Sequence, residues 1–199
     1  MMRRPTRLTA LTLFAILILT LTACSEKKMN TIQVADLSER EEAILSTFAN
    51  DQMIFDFRLR DEFKGLSIWV EKYESGQKTE ERFIDFTAQV EQEGTIIFGI
   101  SNVEGKRTVH VAVQSEERTS SVTVPELETN DLEKMARMSG PFTGDSDWDG
   151  KERVLGDICY SAGPRMQGLS TDFYDDPASH VDELKQYEVA YLLKAEAKK

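Results

Sequence analysis

Residues 8–23, LTALTLFAILILTLTA, form one unbroken run without a charge. Beyond it the apolar residues break into short periodic segments. Ser38-Glu39-Arg40-Glu41 has the spacing of a capping box, and Ala43, Ile44, Leu45 and Phe48 follow at roughly helical intervals, which predicts a helix over 39–49. From Phe55 the period falls to two. Phe55, Phe57 and Leu59 alternate with Asp56 and Arg58, and Leu66, Ile68 and Val70 face one way in the next run. Glu74-Ser-Gly-Gln77 reads as a turn. Further strands are predicted over 83–90, 95–101, 109–113 and 119–124, the last closed by Pro125. Runs separated by short turn signals predict an antiparallel meander, hence a mainly-β (α+β) fold forming a sandwich or a curved sheet or barrel with an N-terminal helix.

The pattern changes after Pro125. Asn130 and Glu133 fit the start of a short helix through Met138, with Gly140 as its stop. Residues 140–180 are rich in Gly, Pro, Asp and Ser and predict a long irregular stretch, within an irregular C-terminal region of about 126–180. In the last run Ala, Leu, Glu and Lys favour helix by propensity, whereas Tyr187, Val189, Tyr191, Leu193 and Ala195 alternate as in a strand. The reading that respects both is a helical turn near 178–185 and a strand over 187–196.

The apolar run at the start has its own chemistry. Arg3, Arg4 and Arg7 precede it and small residues end it, the layout of a secretory signal peptide. It is shorter than the roughly 20 residues a membrane-spanning helix needs. Leu21-Thr22-Ala23-Cys24 at its end resembles the lipobox of bacterial lipoproteins. That resemblance implies cleavage before Cys24 and a diacylglycerol on its thiol, which would hold the protein at the extracytoplasmic face of a bacterial cell membrane without spanning it. The expected organisation is a signal peptide over 1–23, a lipid-anchored tether over 24–36, and a single domain over 37–199.

Charge narrows the partners. The whole chain carries a formal −11; residues 1–23 hold three of its 24 basic residues and no acidic ones, leaving 21 against 35, or −14. Nucleic acid is an unsuitable partner for such a chain, because phosphate binding uses clustered Lys and Arg. The membrane through the lipid on Cys24, and an envelope protein or glycan, are the expected partners. With Cys24 blocked, Cys159 has no intramolecular disulfide partner, and its apolar surroundings predict a buried thiol.

Candidate chemistry is sparse. Asp145-Ser-Asp-Trp-Asp-Gly150 matches the first half of a calcium loop, with Asp145, Asp147 and Asp149 as candidate ligands. The resemblance to an EF-hand loop is partial, since the twelfth position is Gly156 and the eighth is Glu152. Calcium is the one cofactor considered. The two histidines, His110 and His180, lie in no recognisable motif, and Gly-x-Ser-x-Gly is absent. Trp69 and Tyr73 share one strand face and form either a binding patch or a packing surface, with packing favoured. No catalytic residue is assigned. The expected role is non-enzymatic binding, scaffolding or envelope maintenance, with a calcium-stabilised surface module and an envelope hydrolase as alternatives.

Overall fold

The computed structural model describes residues 30–199 apart from 48, 50, 104–105, 126–131 and 164. The strands are β1 (Asn30–Val34), β2 (Asp51–Arg58), β3 (Gly65–Glu74), β4 (Gln77–Gln89), β5 (Glu93–Val103), β6 (Lys106–Ser115), β7 (Arg118–Pro125), β8 (Ala136–Pro141), β9 (Asp147–Trp148), β10 (Arg153–Ser161) and β11 (Val189–Lys198). Three short helices join them: α1 (Glu39–Leu45), α2 (Thr171–Asp175) and α3 (Pro177–His180). One sheet has the order β7-β6-β5-β2-β1-β9 and the other β4-β3-β11-β10-β8, with every pairing antiparallel. The two ladders stay separate, so no barrel closes. Among the described residues no helix is long and apolar enough to cross a membrane.

Period-two patterning places the first sheet. Val109, Val111 and Val113 of β6 are buried, while Thr108, His110 and Ala112 face outward. Phe55, Ile96, Phe98 and Val111 meet Ile68, Val70, Ile158 and Tyr191 of the second sheet in one core. The turn read at 74–77 is a two-residue hairpin with Ser75 at φ 49° and Gly76 at φ 79°. Two positive φ values match the right-handed twist of the flanking strands, and glycine takes one of them without strain.

Residues 165–188 run over the outer face of the second sheet. Phe173, Leu184 and Tyr187 pack there against Tyr73, Cys159, Ala190 and Leu192. Strands β3, β10 and β11 are therefore buried on both faces. A strand covered on both sides has no reason to alternate apolar with polar.

Four sequence expectations need correction. Residues 30–34, assigned to the tether, pair with β2 and β9 as β1. The helix at 39–45 is thus not the first element: it bridges β1 and β2, with its capping box formed by Ser38 and Glu41 and no buried residue. The helix expected near 130–138 is replaced by a 3-10 turn at Leu132–Lys134 and then β8; Asn130 lies outside the described residues. The stretch expected to be irregular contains β9 and β10, and β10 is central to the second sheet. The ambiguous last run is strand β11, preceded by α3 and a 3-10 turn at Val181–Gln186.

Strand directions define two rims. β1 starts at the near rim, together with the loops 58–64, 90–93, 115–118 and 149–152 and the last residues of β11. β2, β6 and β11 start at the far rim.

Candidate functional site

β10 carries two kinds of side chain. Ile158 and Tyr160 enter the main core, while Asp157 and Cys159 point to the opposite face, under the 165–188 segment. That segment is held by its own polar bonds. The Ser170 hydroxyl caps α2 at the Phe173 N–H, 3.2 Å away. The Glu183 carboxylate accepts from the Ser170 N–H at 2.8 Å and its hydroxyl at 2.6 Å, joining the two ends of the segment. Tyr187 donates its hydroxyl to the Gln167 carbonyl.

These contacts set Tyr174 over Asp157. Its hydroxyl meets Asp157 Oδ1 and lies 3.0 Å from the Gly140 carbonyl, and the Cys159 thiol donates to Asp157 Oδ2 at 3.2 Å. Gly140 leaves room here: a Cβ would stand 3.0 Å from both Asp157 Oδ1 and the Tyr174 hydroxyl, tighter than an ordinary contact. Asp157 is 2 % exposed, and no basic side chain among the described residues meets it in an ion pair. Burial pushes its carboxyl above the ordinary carboxylate range, against the smaller opposing pull of the Tyr174 and Cys159 hydrogen bonds. The same burial, reinforced by Asp157, pushes the thiol of Cys159 up. Tyr174 and Cys159 thus both donate to the Asp157 carboxyl, one to each oxygen.

Glu71 on β3 lies on the same outer face and behaves oppositely. It is equally buried, and burial raises it, yet bonds from Lys78 at 2.9 Å and the Tyr73 hydroxyl at 2.8 Å, with Lys194 at 3.2 Å, hold it below its ordinary value. Two ammonium groups account for the difference from Asp157.

A hollow of about 250 Å³ opens beside Asp157, walled by Met138, Pro141, Phe142, Leu169 and Tyr174. A second, of about 490 Å³, lies across Tyr174 between the 147–154 hairpin and Asp175 and Pro177. A broader polar groove of about 940 Å³ crosses the outer face of the first sheet towards the near rim, between Asp56, Arg58, Glu93 and Gln114. Within it Arg58 pairs with Glu93, and Asp56 accepts from the Thr95 hydroxyl, each at 2.9 Å.

The candidate calcium ligands are not gathered at one point. Asp145 Oδ1 accepts from the Asp147 N–H at 3.0 Å, and Asp149 Oδ1 from the Lys151 N–H at 2.9 Å, so two of them close local turns. Lys151 also binds Asp149 Oδ2 at 2.9 Å, and its hydrogen bonds hold Asp149 below the usual carboxylate range. Arg153 donates to the carbonyls of Asp145 at 3.1 Å and Asp147 at 2.7 Å. Trp148 is buried, its indole N–H on the Lys151 carbonyl at 2.6 Å. The segment is stretched as β9 along β1, whereas converging carboxylates need a curled loop. Among the described residues no group of three or more His, Cys, Asp and Glu is placed to hold a metal.

The histidines sit apart. His110 Nε2 is 2.8 Å from both the Ser101 and Thr108 hydroxyls, and Nδ1 is 2.9 Å from that of Thr123. His180 Nδ1 lies 3.5 Å from Glu183, whose carboxylate separates it from Ser170. A hydrolytic triad needs histidine between nucleophile and carboxylate. His110 has hydroxyls on both sides, and at His180 the carboxylate occupies the middle. Trp69 is 2 % and Tyr73 7 % exposed, Trp69 beneath the Arg82 guanidinium at 4.7 Å, so both serve packing. Cys24 lies outside the described residues.

Asp157 was missed at the level of sequence. The available signal was a lone acid inside the apolar run Val154 to Tyr160, two places from a cysteine. Neither a curated protein nor a solved structure matches the chain. The YgaN domain model matches residues 31–197, nearly the whole span from β1 to β11, and the chain therefore belongs to the YgaN domain family.

Proposed function

We propose that this protein is an exported lipoprotein, anchored by lipid on Cys24 at the extracytoplasmic face of the membrane, whose two-sheet domain binds or scaffolds an envelope partner. The observation that carries this reading is the junction Leu21-Thr22-Ala23-Cys24 behind a basic and then apolar leader, with β1 beginning only six residues later at Asn30. Binding rather than turnover is supported by how the titratable groups are used: His110 on hydroxyls, Glu183 on Ser170, and Asp157 between Tyr174 and Cys159. Replacing Cys24 with alanine is expected to move the protein from the membrane pellet to the soluble fraction or leave it as unprocessed precursor. Wild type should show the mass of an acylated cysteine. Normal membrane retention of mature Cys24→Ala protein would end this reading.

A calcium-stabilised module using Asp145, Asp147 and Asp149 is the second reading, favoured by the D-x-D-x-D-G spacing. It requires the turn bonds and the Arg153 contacts to be given up for a cation. The expected result is a flat Trp148 fluorescence titration up to millimolar calcium, the weak end for extracellular modules. A saturable change that Asp147→Ala abolishes would establish the calcium reading instead.

A further inference from the structure

We propose that the near rim of the two sheets rests against the lipid headgroups, with β1 entering from the membrane and the far rim turned away from it. The inference rests on the lipid anchor at Cys24 proposed above.

Chain length is the first argument. Six residue steps separate Cys24 from Asn30, and a polypeptide spans at most about 3.6 Å per residue, so the lipidated residue stands within about 22 Å of the start of β1. Asn30 belongs to the near rim: it pairs with Trp148, and its side chain accepts the Arg60 N–H at 2.9 Å. β3 crosses the domain in ten residues, about 33 Å at the usual rise. An anchor so short keeps the near rim at the bilayer, and with the strands upright it leaves the far rim about one strand length away.

Charge is the second argument. The near-rim segments 58–64, 90–93, 115–118, 149–152 and 198–199 hold seven Lys and Arg and eight Asp and Glu, a net of −1. The rest of the chain after residue 23 therefore carries −13 of the −14. A bilayer with anionic headgroups repels acidic surface within about a Debye length, roughly 8–10 Å, and leaves a nearly balanced rim almost unopposed. Within that rim Lys64 is exposed, as is Lys151 beside Asp149, and Lys199 lies over Phe63 at 5.8 Å and 3.1 Å from Glu62.

The test uses the full-length, lipid-processed chain in vesicles of phosphatidylethanolamine and phosphatidylglycerol containing spin-labelled lipid. Single cysteines are introduced at Lys64 on the near rim, Ser121 on the outer face of β7 and Arg40 in α1, all exposed, and each is given an environment-sensitive fluorophore. Cys159 is fully buried and takes no label. Severalfold stronger quenching at K64C than at S121C and R40C is expected. Equal or stronger quenching at either of the others, in protein that sediments with the vesicles, overturns the orientation alone. A wild-type chain that stays in the supernatant and labels at Cys24 overturns the anchor, and the orientation with it.

Discussion

Asp51→Ala is expected to lower the melting temperature by about 10 °C. Asp51 begins β2, 5 % exposed, with Oδ1 2.7 Å from Arg137 Nε and Oδ2 3.4 Å from the Tyr160 hydroxyl. Arg107, 6 % exposed, donates to the same hydroxyl at 2.8 Å and lies over the Tyr160 ring at 4.5 Å. Burial drives the Asp51 carboxyl above its ordinary range even against the two arginines. Alanine removes the carboxylate facing Arg137 and leaves the buried Tyr160 hydroxyl without its acceptor, a loss of up to about 3 kcal/mol, and a domain of this size shifts by about 2–4 °C per kcal/mol. Replacing the ion pair together, Asp51→Leu with Arg137→Met, should recover part of the loss, since neither charge of that pair is then left alone. A single variant that melts within 2–3 °C of wild type, about 1 kcal/mol, would show that the cluster does not hold the far rim together.

Asp157→Asn should do the reverse. The native carboxyl holds its proton above the ordinary value near 3.8, so between that value and its raised one the folded state binds more protons than the unfolded state. Stability then falls as pH rises through that window. The contribution is complete below the unfolded value and is lost as the folded group ionises. Asparagine keeps the shape of the acid and an oxygen to accept from the Tyr174 hydroxyl, without a charge to desolvate. The variant should match wild type near pH 4 and gain on it as pH rises through that window, levelling off above it, by about 1–3 kcal/mol, the scale of an uncompensated buried group. Thermal melts across that range check it. A difference that is negative or constant with pH would mean that Asp157 is compensated by something other than its own proton. Other carboxylates, such as Glu71, are lowered and give the opposite slope, so the difference between variant and parent isolates the single site.

Both predictions turn on acids that no local pattern marks. Asp51 reads in sequence as the polar start of a strand, and Asp157 as one acid among 35. Their character comes from residues far away: Arg107, Arg137 and Tyr160 in one case, Tyr174 in the other. The calcium motif shows the converse. Its spacing is local and legible, yet pairing with β1 stretches it, and Arg153 and Lys151 take its oxygens.

What the sequence determined by itself was whatever depends on near neighbours. Alternation along β2 and β6 set those strands, because a half-buried strand repeats every second residue, and the short turn signals between runs set the antiparallel class. The Ser75-Gly76 turn and the Ser38–Glu41 cap were legible for the same reason: each is a bond or a torsion within a few residues. The tertiary structure alone decided the rest. β10 shows no alternation because one face meets the other sheet and the other meets α2, a cover assembled from residues 165–188. β1 is a strand because β2 and β9 flank it, not because Asn-Thr-Ile-Gln-Val favours one. Whether a buried carboxylate is charged depends on what the fold brings within about 4–6 Å of it, and no window of sequence contains that distance.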